Sequence, residues 1–95
     1  MARVWREEPC FLCSAPSQVR DTDAENRRQF QCTSAECGEF EISRRAMNGL
    51  TSPQTKRYLS QAASRIKDRS KILEIVIESD GNMISRVVDK RPQIR

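Results

Sequence analysis

Four cysteines in two close pairs constrain this chain more than any other feature of its sequence. Two residues separate Cys10 from Cys13, and four separate Cys32 from Cys37. The intervening segment, residues 14–31, has a length typical of zinc modules with paired cysteines. Each pair can turn its sulfurs toward one point at a tight chain reversal, and two facing reversals supply the tetrahedral arrangement that zinc prefers. The sequence therefore predicts one zinc ion per chain, held by four thiolates.

This zinc ion is expected to be structural. Four cysteine ligands leave no coordination position for a substrate or an activated water. The chain has 95 residues, of which 37% are hydrophobic and 32% charged, so its apolar core is small for its surface. Zinc binding by thiolates can add on the order of 10 kcal/mol to the folding of such a module. Gly38, directly after the last cysteine, is expected to close the second reversal with a positive φ.

Disulfide bonds are the alternative use of the four cysteines, and redox or iron chemistry is a further one. The first eight residues, Met-Ala-Arg-Val-Trp-Arg-Glu-Glu, carry charges where a secretion signal has an apolar segment. We therefore expect a cytoplasmic protein whose thiols stay reduced, which favours metal binding. No apolar run is long enough to suggest a membrane span, and no membrane association is expected.

The segments beside the cysteines have the pattern of short strands. Residues 17–20 and 27–31 flank a polar segment, residues 21–26, as in a β-hairpin. Residues 39–43 alternate polar and apolar side chains and are predicted to form a third strand. The apolar side chains of these strands would form a small layer beneath the metal, consisting of Val19, Phe30, Phe40 and Ile42.

The run from Phe30 to Ala46 resembles a zinc ribbon. An aromatic residue lies two positions before the third cysteine, and glycine, an aromatic residue, isoleucine and serine follow the fourth. The run is similar in particular to ribbons of small bacterial and phage proteins, and the resemblance covers about residues 10–50. It implies the ribbon fold and a ligand set of Cys10, Cys13, Cys32 and Cys37. It implies no particular function, because zinc ribbons serve many roles.

A basic amphipathic helix is predicted over residues 51–71. A short helical turn precedes it, with Ser43 as its cap and Gly49 as its left-handed stop. The longer helix then begins with either Thr51 or Ser52 as its cap. One side of it is expected to pack on the ribbon or on a partner through Leu59, Ala62, Ala63, Ile66 and Leu73, with Tyr58 beside them.

The C-terminal segment, residues 72–89, is predicted to contain a strand. Residues 72–78 are the most β-prone stretch of the chain, and Asp80-Gly81 is a strong turn signal. Residues 83–88 either return as the second strand of a hairpin, which we favour, or begin a short helix. An unpaired edge of the 72–78 strand would be a surface for a homodimer or for another protein, and without it the chain is expected to be a monomer.

These segments together predict one small α+β domain. Residues 1–50 form the zinc ribbon, residues 51–71 the basic amphipathic helix, and residues 72–89 the C-terminal strand or hairpin. Residues 90–95 are charged and contain a proline, and we expect them to form a flexible tail.

Positive charge is concentrated in the C-terminal half of the sequence. The formal net charge is +4, yet residues 1–45 hold seven basic and eight acidic side chains, and residues 46–95 hold ten and five. Such a surface either binds the phosphates of a nucleic acid or is simply solvated. The predicted phosphate contacts are Arg57, Arg65, Lys67, Arg69 and Lys71. A second basic rim is expected from Arg27, Arg28, Arg44 and Arg45, with Trp5 as the candidate for stacking on bases.

The sequence indicates a binding module and not an enzyme. It has no histidine, no glycine-rich phosphate loop and no acidic cluster spaced for divalent metals. Thiol exchange at Cys10 and Cys13 lacks the βαβ setting of that chemistry. We expect binding to nucleic acid or to a nucleoprotein complex. The alternative is a protein-binding adaptor or inhibitor, such as a phage or mobile-element anti-defence factor that docks on a host complex.

Overall fold

A computed structural model describes residues 5–22 and 26–90. These residues form six strands and two helices: β1 Arg6–Pro9, β2 Pro16–Thr22, β3 Arg27–Cys32, β4 Glu39–Ser43, α1 Arg44–Gly49, α2 Pro53–Ser64, β5 Lys71–Ile77 and β6 Met83–Asp89. The predicted α+β class is confirmed. The predicted tail, except for Lys90, lies outside the described residues. Neither helix of the described part has the length and the apolar character that crossing a membrane requires.

The six strands form one continuous sheet in the order β1-β2-β3-β4-β5-β6. All neighbouring strands are antiparallel except β4 and β5, which are parallel. A parallel pair requires a crossover connection, and here the crossover contains α1 and α2. The cysteine-bearing strands and the C-terminal strands therefore share one sheet, which the sequence analysis did not anticipate.

The core lies between the helices and one face of the sheet. Four apolar side chains occupy directly paired positions across the adjacent strands β2 to β5: Val19, Phe30, Phe40 and Leu73. The rings of Phe30 and Phe40 are stacked, with centroids 4.9 Å apart. The predicted apolar layer therefore exists, and it continues into β5, onto the buried helix residues Ala46, Leu59 and Ala63, and onto Leu50, which caps α1.

Serine caps start both helices. The Ser43 hydroxyl accepts a hydrogen bond from the Ala46 N–H at 3.1 Å, as predicted. For α2 the structure selects Ser52, whose hydroxyl accepts from the Thr55 N–H. The predicted left-handed stop at Gly49 is wrong, because Gly49 is the last residue of α1 and has no positive φ. A Cβ there would lie 2.8 Å from the end of the flexible Ile77 side chain, which can shift to accommodate it.

The second helix is shorter than the predicted 51–71, because α2 ends at Ser64. Leu73 fits the helical spacing of the apolar side chains but belongs to β5. Between the two elements the Asp68 carboxylate accepts hydrogen bonds from the N–H and the hydroxyl of Ser70, a local turn that competes with continued helix. Within α2 and just after it, Leu59 and Ala63 are buried, Ala62 and Ile66 are partly buried, and Tyr58 is 64% exposed.

The sheet face opposite the helices carries a buried polar cluster. Glu41 and Glu74 are directly paired on β4 and β5, and both are less than one-tenth exposed. The Arg27 guanidinium bridges them, at 3.4 Å from Glu41 and 2.6 Å from Glu74. Thr22 donates a hydrogen bond to Glu41, and Arg86 donates one to Glu74. This cluster neutralises two carboxylates that a sheet interior would otherwise leave uncompensated.

Residues 83–89 form a strand. The favoured alternative of the sequence analysis, a hairpin strand instead of a short helix, is therefore correct. β6 pairs with β5 along its whole length, from Met83 opposite Ile77 to Asp89 opposite Lys71. The connection passes through Gly81, which has a φ of 90°, a conformation that glycine adopts at little cost. β5 therefore has neighbours on both sides, and β6 is the last strand of the sheet.

Candidate metal centre

The four cysteines lie together at one end of the sheet. Cys10 follows β1 and Cys13 lies in the turn before β2, whereas Cys32 ends β3 and Cys37 precedes β4. All four sulfur atoms lie within 4.8 Å of one another. The two hairpin connections therefore face each other, as the spacing of the cysteines predicted.

The separations between the sulfurs suit a metal ion. The Sγ atoms of Cys10 and Cys37 are 3.8 Å apart, and those of Cys13 and Cys32 are 3.2 Å apart. Four sulfurs at about 2.3 Å from a tetrahedral zinc ion would be ~3.8 Å from one another. All four cysteines are free thiols. The residues thus fit a metal with four soft ligands.

Main-chain hydrogen bonds shape the first reversal. The Cys10 N–H donates to the Ala15 carbonyl at 2.7 Å, and the Ser14 N–H donates to the Cys10 carbonyl at 2.9 Å. Ser14 has a φ of 68°, which places a serine in the left-handed region where glycine is usual. This strained turn brings the sulfurs of Cys10 and Cys13 to the same side of the chain.

The second reversal rests on α2. The predicted positive φ of Gly38 is wrong. A Cβ at Gly38 would lie 2.4 Å from the carbonyl oxygen of Ala63, so glycine is needed because the helix backbone packs against it. The Ser60 hydroxyl donates to the Glu36 carbonyl at 3.0 Å from the same helix. The position of Cys37 therefore depends on the docking of α2.

The thiols have unequal acidities without a metal ion. Cys10 and Cys37 are buried, and Cys13 and Cys32 are partly buried. A hydrogen bond from the Cys10 thiol lowers the pKa of Cys37 to about 5, and the same bond raises the pKa of Cys10. Burial raises the pKa of Cys32 to about 11. Metal binding by thiols displaces their protons, so metal affinity at this cluster should fall at low pH.

A groove of about 340 Å³ opens beside the cysteine cluster. Cys32 and Cys37 line it at one end, and Gly38 and Ala63 form part of its wall. Four cationic side chains also line this groove, and we call them the groove cations: Lys67, Arg69, Lys71 and Lys90.

The groove cations differ in their partners. Lys71 forms an ion pair with Asp89, and Lys90 forms one with Glu39. Among residues 5–22 and 26–90, neither Lys67 nor Arg69 has an ion pair, and both are exposed. Lys67 and Arg69 are therefore the two groove cations open to an external anion.

The predicted phosphate-contacting residues do not share one helix face. Arg57 is exposed on α2 and Arg65 is the residue that caps its C-terminus. Lys67 and Arg69 lie in the connection after α2, and Lys71 is on β5. The structure brings the last three to the groove. Their role in binding stays a prediction.

The second basic rim is divided between ion-paired and exposed side chains. Arg27 is part of the buried polar cluster, and Arg28 forms ion pairs with Glu8 and Asp21. Arg44 and Arg45 are exposed at the start of α1, at the end of β4 that is remote from the cysteines. The ring of Trp5 is covered by the Arg20 guanidinium at 4.8 Å.

Two contacts near the metal centre were missed by the sequence analysis. Lys90, assigned to the tail, lines the groove because the pairing of β6 with β5 carries it there. The Lys56 ammonium lies 4.5 Å above the ring of Phe11, a cation–π contact that ties α2 to the first reversal. No sequence signal marks either contact, since both arise from packing between elements distant in the chain.

No protein-family model, curated protein or solved structure matches this chain. The geometry of the cysteine cluster and of the groove beside it therefore carries the functional argument.

Proposed function

We propose that this protein is a structural-zinc module that binds the phosphate backbone of a nucleic acid at the groove beside the metal centre. The observation that carries the proposal is the placement of two exposed cations without ion-pair partners among the described residues, Lys67 and Arg69, next to a cysteine cluster that fits a metal. Under this proposal the protein is a binding module and not an enzyme.

Zinc is the metal that the donor set favours. Four thiolates in a tetrahedral arrangement are typical of structural zinc, and iron is the other metal that uses such a set. A zinc ion bound here would cross-link the two reversals and leave no ligand position for a substrate. The protein's own contribution is to hold the sulfurs at the right separation through the turn at Ser14 and the docking of α2 on Gly38.

Metal identity can be measured directly. Native mass spectrometry of the purified protein, with and without a chelator, should show one zinc ion per chain that the chelator removes. An absorption spectrum without visible bands would exclude iron in the same sample. A mass lower by the hydrogens of two disulfides would instead contradict the zinc proposal.

The groove cations have an alternative role, which is to stabilise the negatively charged metal centre. A zinc ion with four thiolates carries a net charge of −2, so cations beside it also stabilise the centre itself. The two roles differ in what the cations do for folding. Cations that only compensate the thiolates affect zinc affinity and stability, whereas cations that bind phosphate affect nucleic-acid affinity and its dependence on salt.

A double variant separates these roles. In Lys67→Gln/Arg69→Gln, the affinity for a fluorescently labelled single-stranded DNA should fall, and the slope of log K against log salt should decrease by about 1 per lost contact. The matched control is Arg44→Gln/Arg45→Gln, which removes the same charge at α1 and should leave most of the affinity intact. Equal losses in both variants would contradict the groove as the site. Lost zinc affinity with unchanged DNA binding would assign the cations to the metal.

A further inference from the structure

The two edges of the sheet differ in how open they are to another strand. β1 has four residues, ends at Pro9, and uses Arg6 and Glu8 in side-chain ion pairs. β6 has seven residues and no proline, and within residues 5–22 and 26–90 no strand pairs with its outer side. Short, charged and proline-containing edges resist pairing, whereas a longer regular edge invites it. β6 is therefore the open edge.

The hydrogen bonds of the β5–β6 pair show which main-chain groups point outward. At the two ends of the pair, the Lys90 N–H donates to the Ser70 carbonyl, and the Glu78 N–H donates to the Asn82 carbonyl. In an antiparallel pair the residues alternate between main-chain groups that point to the partner strand and groups that point away from it. The N–H and C=O groups of the even-numbered residues of β6 therefore point toward β5. The odd-numbered residues present their N–H and C=O groups to the outside: Met83, Ser85, Val87 and Asp89.

The middle of this edge is exposed and includes one large apolar side chain. Val87 is 55% exposed and is one of the two large hydrophobic residues that are exposed in the described part of the chain. It is paired with the buried Leu73, so its inner side continues the core. The main contacts of both helices with the sheet are with β4 and β5. A strand added beside β6 would bury Val87 and satisfy the outward main-chain groups together.

A second copy of β6 fits this edge. Antiparallel pairing of two identical strands about a two-fold axis places one residue opposite itself. With Val87 at that position, Ser85 lies opposite the partner's Asp89, and Arg86 lies opposite the partner's Val88. The serine hydroxyl can then donate to a carboxylate, and no like charges oppose each other. Centring the pair on Arg86 would instead place two guanidinium groups in opposition.

We propose that the protein forms a homodimer in which β6 pairs antiparallel with β6 of a second copy, centred on Val87. The sheet then continues through both chains, and each outward N–H and C=O from Ser85 to Asp89 gains a partner. This inference is independent of the nucleic-acid proposal, because it rests on the edge of β6 from Ser85 to Asp89 and not on Lys67 or Arg69.

The test uses the full-length, zinc-loaded protein in sedimentation-velocity experiments over a range of concentrations. The wild type should be dimeric, and Val87→Pro should be monomeric. Proline at this outward position removes an N–H that would bond the partner and leaves the bonds to β5 in place. Val87→Thr keeps the N–H and the strand preference, and is the matched control that should remain dimeric.

Two further variants keep the test decisive if the proline variant does not fold. Val87→Lys places two ammonium groups opposite each other and should abolish the dimer while zinc content and circular dichroism stay unchanged. Ser85→Lys faces the partner's Asp89 and should tighten the dimer by about 2- to 30-fold through two new cross-strand ion pairs.

A monomeric wild type, or a dimer that survives Val87→Lys, would overturn the proposal. Weaker association of Ser85→Lys would overturn the register. If the wild type is monomeric and an added extended peptide binds β6, the edge serves another protein and the homodimer is likewise refuted.

Discussion

The N-terminal part, residues 5–38, and the C-terminal part, residues 39–90, belong to one sheet but are stabilised by different means. In the N-terminal part the buried side chains that are apolar and not cysteine are Leu12, Val19 and Phe30. In the C-terminal part they are Phe40, Ile42, Ala46, Leu50, Leu59, Ala63, Ile72, Leu73 and Ile75. The N-terminal part thus has a cysteine cluster where the C-terminal part has an apolar core. A metal ion held by this cluster would take the place of a hydrophobic core locally, within a single sheet.

Loss of a metal ligand is expected to have the largest effect, and it should be confined mainly to the N-terminal part. In Cys32→Ser the hydroxyl cannot replace the thiolate, so up to on the order of 10 kcal/mol of metal-linked folding free energy is at risk. Hydrogen exchange should show lost protection across β1 to β3 and greater retention in β5. A metal-free variant that stays folded, with a native-like spectrum, would contradict the structural role of the metal.

Removal of a shared core ring should weaken both parts together. Phe40 is fully buried and stacks on Phe30 across the boundary between them. Phe40→Ala should lower the free energy of unfolding by about 3–5 kcal/mol, measured by urea denaturation of the metal-loaded protein. The control Tyr58→Ala, at an exposed aromatic residue, should change it by no more than ~0.5 kcal/mol. Destabilisation confined to one part would contradict the view of a common core.

A methyl group at the contact between the parts should have a smaller effect. Gly38→Ala would push against the carbonyl oxygen of Ala63 in α2, and we expect a cost of about 1–3 kcal/mol. Gly49→Ala is the matched control, because there the new methyl meets only the end of the flexible Ile77 side chain. Amide exchange in α2 should increase in the first variant and less in the second. Equal effects would show that docking of the helix backbone does not depend on Gly38.

The smallest effect should be a pH dependence carried by Glu74 of the C-terminal part. Burial alone would raise the pKa of Glu74, but hydrogen bonds from Arg27 and Arg86 outweigh it and lower this pKa below its ordinary value of 4.5. A carboxylate whose pKa is lowered by folding stabilises the folded state above its ordinary pKa and ceases to do so as the pH falls through the folded value. Glu74→Gln should therefore cost about 1 kcal/mol at pH 7.

The measurement for this prediction is urea denaturation of wild type and Glu74→Gln from pH 7 to pH 3. The difference between the two proteins should shrink below pH 4.5. Acid release of the metal weakens both proteins alike, so it cancels in the difference. A difference that stays constant over this range would show that the charge of Glu74 does not contribute.

Local chemistry explains what the sequence could predict. The cysteine spacing places two pairs of sulfurs at chain reversals, and their meeting in space was expected. Ser52 before Pro53 is a cap signal that needs no tertiary information, and it identifies the start of α2 correctly. Alternation of apolar residues similarly located β4 and the apolar layer beneath the helices.

The features that the sequence could not predict depend on contacts between segments distant in the chain. Leu73 fits a helical spacing and a strand equally well, and pairing with Phe40 decides for the strand. β1 was missed because its sequence, Arg-Glu-Glu-Pro, has no apolar alternation and depends on β2 for its conformation. Gly38 was expected to have a positive φ at a turn, yet glycine is needed there because the backbone of α2 packs closely against it. These features can be explained only when the packing partners from distant segments are known.

The single parallel pair in the sheet also sets the order in which the chain can fold. Strands β1 to β4 meet through connections between consecutive strands, and β5 meets β6 in the same way, so both groups involve mostly local contacts that form early. Pairing of β4 with β5 closes the crossover between Ser43 and Lys71 and carries the larger loop-closure entropy. All four cysteines precede that crossover, yet the second reversal, with Cys37, takes its position against α2. Closure of the crossover is therefore expected to be the slow step of folding, and it also completes the site at which the four thiols meet.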